Sequence, residues 1–203
     1  VRTGWTYDSR DNLLFPNRGT LQRLTAEIGV PGLDLEYYKL QYQHTLFKDD
    51  IFKNTVFMLN GELGYADSYG DKKFPFFKNF FAGGVNSIRG FQNGTLGPRD
   101  IDPATGNNFS VGGTTRIVGN AEVFVPVPLI KDSSQFRISA FLDGGVVYGE
   151  DQSKSFDEWR YSTGVGLSWF SPFGPLKLIL AKPLNDEEGD ETQSLQFQFG
   201  QQF

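Results

Sequence analysis

The chain alternates. Apolar and polar residues exchange places at every second position over long stretches, the period of an extended strand whose two faces meet different surroundings. Near the end, Leu195, Phe197 and Phe199 alternate with Gln196, Gln198 and Gly200. In 135–148, Phe136, Ile138, Ala140, Leu142, Val146 and Tyr148 oppose Gln135, Arg137, Ser139, Phe141 and Asp143. In 159–170, Trp159, Tyr161, Thr163, Val165, Leu167 and Trp169 oppose Arg160, Ser162, Gly164, Gly166 and Ser168. The same alternation runs through 37–47 and 55–66, and no amphipathic helix of useful length interrupts it.

The pattern predicts nine strands, near 1–9, 19–30, 36–47, 54–67, 113–126, 135–148, 159–170, 175–184 and 192–203. Several are longer than the ~5–6 residues of an ordinary globular strand, and about 9–11 tilted residues suffice to cross a bilayer. Aromatic residues sit at the ends of the apolar faces (Tyr38, Tyr65, Tyr148, Trp159, Trp169, Phe203), as in the girdles of an outer-membrane barrel that is apolar outside and polar inside. This accounts for 20 Phe in 203 residues without any apolar run near the ~18 residues of a membrane helix. The predicted fold is therefore all-β, an antiparallel up-and-down transmembrane β-barrel. A soluble β-sandwich also alternates, but with shorter strands.

The connections fall into two alternating sets. One is short and rich in turn residues: Phe15-Pro16-Asn17-Arg18-Gly19, Lys48-Asp49-Asp50, Pro126-Val127-Pro128 and Ser171-Pro172-Phe173-Gly174. The other includes 68–112, 149–158 and 185–191. Short periplasmic turns and longer extracellular loops are expected of such barrels. Nine strands create a difficulty, because the first and last run in the same direction and cannot close antiparallel. Either the first strand is misread or the chain is part of a larger barrel. The opening Val1-Arg2-Thr3, with no initiator Met or signal sequence, is expected of a processed protein or excised fragment.

Loop 68–112 is far longer than the ~12–15 residues beyond which structureless loops are uncommon. It starts with five Phe among eight residues, Phe74 to Phe81, a cluster expected to be buried against the barrel or in its lumen. Ser87-Ile88-Arg89-Gly90-Phe91 follows. Two acids, Glu122 and Asp143, occupy the polar faces of the next two strands. An inward-folded loop could set Arg89, with its five donors, between them. The pattern alone equally allows a solvated arginine and two unrelated lumenal acids.

Several stretches together resemble the BamA-type family of outer-membrane assembly proteins. They are Phe80-Phe81-Ala82-Gly83-Gly84 with Ser87-Ile88-Arg89-Gly90-Phe91 and Leu96-Gly97-Pro98; Gly4-Trp5-Thr6-Tyr7-Asp8 with Phe15-Pro16 and Gly19; Phe170-Ser171-Pro172-Phe173-Gly174-Pro175-Leu176; and Phe197-Gln198-Phe199-Gly200 with Phe203. The resemblance covers the whole chain, 1–203, as the C-terminal part of a sixteen-stranded barrel with 68–112 as a lumenal loop. The family usually carries Val where Ile88 stands. The resemblance implies that Arg89 contacts Glu122 and Asp143 inside the lumen. It also implies that Gly200 marks a bend in the terminal strand near its seam with the first. It further implies a bacterial outer-membrane subunit that folds and inserts client β-barrel proteins without ATP. Its partners would be outer-membrane lipids, unfolded clients and, through N-terminal POTRA domains outside this chain, accessory lipoproteins. The alternative within the superfamily is a secretion pore, like TamA or a two-partner secretion transporter.

Other functions find little footing. The net charge is −5 and Lys and Arg are scattered, so no nucleic-acid footprint exists. With no Cys and one His, thiol catalysis and two-His metal sites are excluded. His44 lies on an apolar strand face and reads as interfacial. The acidic run Asn185–Glu191 lacks EF-hand spacing and reads as a solvated hairpin. No catalytic residue, metal site or cofactor is expected.

Overall fold

In the computed structural model, residues 1–200 are described except 31–34, 50–54, 70–72, 102, 105, 107, 126–134 and 151. Nine long or medium strands form one antiparallel sheet: β1 (Arg2–Asp8), β2 (Gly19–Ile28), β3 (Tyr37–Asp49), β4 (Val56–Ser68), β7 (Thr115–Val125), β8 (Phe136–Tyr148), β9 (Arg160–Ser171), β10 (Gly174–Pro183) and β11 (Leu195–Phe199). Each pairs with its neighbour in chain order, so the all-β up-and-down reading holds. A two-stranded hairpin, β5 (Arg99–Ile101) and β6 (Asn108–Ser110), sits inside the long loop, where no strand is predicted from the sequence. β1 and β11 are the two edges of the sheet.

The two faces have opposite character. On one, Leu40, Leu59, Leu63, Tyr65, Leu142, Val165, Leu167, Leu178, Leu180 and Phe197 are exposed. A contiguous apolar surface of this kind is foreign to a water-soluble domain and is what a lipid-facing wall requires. The second sheet of a sandwich would cover it, and β5–β6 is too small to do so. Among the described residues no helix is long and apolar enough to cross a membrane, which leaves crossing by strands untouched.

The packed clusters lie on the other, inner face, and the long loop builds them. Ala82, Ile88, Phe91 and Leu96 of the loop pack on Val118 and Val147 of the wall. Phe74 and Phe80 pack on Tyr37 and Ala66. Val85 rests against Phe141, Ile179 and Ala181. Glycines in the wall permit the close approach: a Cβ on Gly145 would stand 2.9 Å from Ile88 Cδ1, and one on Gly64 would stand 2.7 Å from the Phe80 ring.

Three sequence expectations change. Phe76 and Phe77 are 78% and 59% exposed and Phe81 is also exposed, so only Phe74, Phe80 and Phe91 of the loop's aromatic set are buried. A 3-10 turn at Phe76–Lys78 directs the first two rings away from the wall and against each other, edge to face at 5.7 Å. Val146 and Tyr148 lie buried rather than lipid-exposed; the Tyr148 hydroxyl donates to the Ser155 carbonyl of the connection 149–159, which folds against that strand end. The terminal strand is five residues long, Leu195–Phe199. Asp50, the turn 126–128 and Phe203 lie outside the described residues.

At the short-turn end, the β1–β2 connection is ordered by its own polar groups. The Asp11 carboxylate accepts from the backbone N–H groups of Asn17 and Arg18, at 2.8 and 3.2 Å. Burial pushes that carboxyl up, but these hydrogen bonds outweigh it and hold Asp11 below the usual carboxylate range. Arg137 of β8 donates to the carbonyls of Phe15 and Pro16 and to Asn17 Oδ1, at 2.7–2.9 Å. This tethers the turn to a strand four places away in the sheet.

Candidate functional site

The loop tip is a tight backbone turn that presents one side chain. Gly84 N–H donates to Phe91 O and Ser87 N–H to Gly84 O, both at 3.1 Å. Gly90 stands at φ +90°, in the left-handed region, and a Cβ there would come 3.2 Å from Ala181 Cβ on β10. Only glycine meets both conditions without strain. Ile88 and Phe91 are fully buried on either side and fix the turn to the wall.

Arg89 is 3% exposed. Its Nε and Nη2 form a fork on Asp143, to Oδ2 and Oδ1, each at 2.7 Å. Its Nη1 donates to Glu122 Oε2 at 2.8 Å, and its backbone N–H to Asp143 Oδ2 at 3.0 Å. Below the guanidinium lies the Phe141 ring, 3.5 Å from Cζ to centroid. Planar fork, two carboxylates and an aromatic face suit arginine and not lysine. Because both carboxylates are as buried as the arginine, removing one partner leaves an uncompensated charge, a loss of about 3–5 kcal/mol.

The clamp continues into residues that sequence reasoning passed over. Thr45, Asn60, Asn120, Asp143 and Ser162 are register neighbours on five successive strands, β3, β4, β7, β8 and β9. Thr45 Oγ1 donates to Asn60 Oδ1 at 2.7 Å, Asn60 Nδ2 to Asn120 Oδ1 at 2.9 Å, and Asn120 Nδ2 to Asp143 Oδ1 at 2.9 Å. Asn120 Nδ2 also reaches Ser87 O at 2.7 Å. The polar alternation marks each of these as inward-facing, but only strand register lines them up.

The terminal strand also joins the site. Gln196 is buried; its Oε1 accepts from Gly90 N–H at 3.2 Å and its Nε2 donates to Phe91 O at 2.8 Å. Phe197 and Phe199, on the opposite face, are exposed. Gly200 has φ +67°, a left-handed bend just past β11. His44 is remote, with Nε2 2.8 Å from Thr20 Oγ1 on the exposed face. In the acidic hairpin, Asp190 and Glu187 are tied to Arg160, at 2.6 and 2.7 Å, rather than solvated singly. Among the described residues no group of three or more acids or histidines could hold a metal ion. The site is thus a buried clamp of one guanidinium on two carboxylates, beside which, among the described residues, Glu122 Oε1 and the hydroxyls of Ser139 and Ser162 accept or donate no hydrogen bond.

A one-sheet wall, apolar outside and polar inside, with a long loop fastened to its inner face by a buried arginine, defines an outer-membrane type of β-barrel wall. The chain belongs to the Omp85 superfamily, whose domain matches residues 1–203. It is similar to the outer membrane protein assembly factor BamA of Neisseria meningitidis serogroup B, 38% identical over 98% of this chain and 28% of that protein. It is also similar to the sorting assembly machinery 50 kDa subunit of Saccharomyces cerevisiae, 29% identical over 95% of this chain and 40% of that protein. Among solved structures, BamA from Haemophilus ducreyi lacking POTRA domains 1–3 superposes with a TM-score of 0.87 at 29% identity, covering 97% of this chain and 41% of that one. The chain therefore spans well under half the length of these relatives.

Proposed function

We propose that residues 1–203 form the C-terminal part of a larger, sixteen-stranded barrel in a bacterial outer membrane, with 68–112 as its lumenal loop. We further propose that the whole protein is the central subunit of a machinery that folds and inserts client β-barrel proteins. The single observation that carries this reading is the clamp of Arg89 on Glu122 and Asp143 in a wall so similar to an assembly factor's barrel. The names of the bacterial and yeast relatives support an assembly role.

The chemistry required is modest. β11 is the terminal strand, and if its seam with the first strand of the larger barrel opens, its freed edge is a template for an incoming strand. Main-chain hydrogen bonds are exchanged rather than made from nothing, so no nucleotide is needed. The apolar outer face gives the lipid contact, and accessory lipoproteins would dock on POTRA domains elsewhere in the protein. Depleting the protein while following several unrelated outer-membrane barrels tests the reading. All are expected to fall together; loss of one exported client alone is the signature of a secretion pore and would sink it.

A further inference from the structure

The Arg89 clamp lies on β7 and β8, whereas the strand read above as the templating edge is β11. The loop tip reaches β11 separately. Gly90 O accepts from Gln193 N–H and Gln92 N–H donates to Glu191 O, each at 2.8 Å, in the segment leading into β11. Phe91 and Thr192 form an antiparallel bridge. Past that segment, the only side chain of β11 with a hydrogen bond to the loop among the described residues is Gln196, whose carboxamide takes both a donor and an acceptor from the backbone of the residues directly after Arg89. It is buried beside Ile179, its register partner on β10.

We propose that Gln196 is a positioning residue that couples the seating of the arginine loop to the placement of the terminal strand. Loop seating orders Gly90 and Phe91; their N–H and C=O fix the carboxamide; the carboxamide fixes β11 from its inner face. The coupling matters at this strand because β11 pairs with β10 over only five residues. A buried carboxamide with both ends satisfied also penalises intermediate positions, since a half-engaged amide leaves a buried polar group unmet. The edge is thus held in one place while the loop is seated and freed when it lifts. This inference rests on the assembly reading for its purpose, but not for its test.

Hydrogen exchange on the full-length folded barrel, with no client present, tests it. In Gln196→Met, amides of 195–199 and of 84–92 are expected to exchange together on the order of 10-fold faster, as two buried hydrogen bonds are lost. Amides of β3 and β4 are expected to be unchanged. Gln196→Asn, one methylene too short to hold both groups, gives the same joint rise if the bidentate contact is what matters, and covers the case in which Gln196→Met fails to fold. Combining Gln196→Asn with Arg89→Lys is expected to add little in 195–199, because both break one linkage. A rise in only one of the two segments, a fully multiplicative double variant, or no change at all overturns the coupling. Because no client enters the measurement, such a result would leave the assembly reading standing.

Discussion

β3 and β4 pair along thirteen residues each, from Tyr37↔Ser68 to Asp49↔Val56, whereas β10 and β11 pair only from Leu176↔Phe199 to Leu180↔Leu195. Both hairpins turn an apolar row outward: Leu40, Leu59 and Leu63 in the first, Leu178, Leu180 and Phe197 in the second. Their inner faces differ. In the first, Gln43 and Thr45 are satisfied by Asn60 on the adjacent strand, and Tyr37 and Ala66 meet the loop through apolar packing with Phe74 and Phe80. In the second, Ile179 and Ala181 pack in the cluster that receives Val85 of the loop, and Gln196 spends its hydrogen bonds on Gly90 and Phe91. Both hairpins receive the loop, but the long one has a thirteen-residue ladder beside that contact, while the short one has five paired residues and hydrogen bonds to a loop tip more than 100 residues upstream.

Substitutions can break that comparison at different depths. The largest effect is expected from Arg89→Ala, which strands two buried carboxylates. Folding stability of the full-length protein should fall by about 3–5 kcal/mol in denaturant titrations in lipid or detergent. In a double-mutant cycle with Asp143→Asn the losses should be strongly non-additive, since the two share one hydrogen-bonded unit. Additive losses would mean that the clamp is not one unit.

A smaller effect is expected on the outer face, where the two hairpins are alike. Leu63→Arg, at mid-strand and exposed, should cost about 2–4 kcal/mol if that face meets hydrocarbon at the membrane midplane. Gln41→Arg, across the strand ladder on the inner face, should change stability by about 0.5 kcal/mol or less. Equal costs would contradict the assignment of faces. Gly90→Ala comes next. The left-handed φ and the nearby Ala181 Cβ predict a loss of about 1–3 kcal/mol, read in the same titration, with faster exchange confined to the loop tip and β11.

The wall is legible because period 2 holds through most of each strand, as at Leu63 and Glu62, and fails where a connection covers a strand end, as at Val146 and Tyr148. The pairing of Arg89 with Glu122 and Asp143 was harder, because residue alternation gives a face but no height along the strand. Height comes from register, and register also lines up Thr45, Asn60 and Asn120, which no local motif marks. Alternation marks Gln196 only as a polar residue between outward aromatics, because its partners are backbone atoms of a distant loop. Phe76 and Phe77 misled for a related reason. Hydrophobicity argues for burial, but a 3-10 turn decides which rings of a cluster can reach a wall.

The loop tip, through Arg89 and the residues after it, holds β7, β8 and β11 more than it holds β3 and β4. Strand-resolved hydrogen exchange of the full-length protein carrying Arg89→Lys tests it most directly, since lysine keeps the charge but lacks the fork that grips Asp143 and Glu122 together. Exchange is expected to be faster in β8 and β11, with β3 and β4 unchanged. A uniform rise across all strands, or protection of β11 equal to that in the unaltered protein, would contradict it.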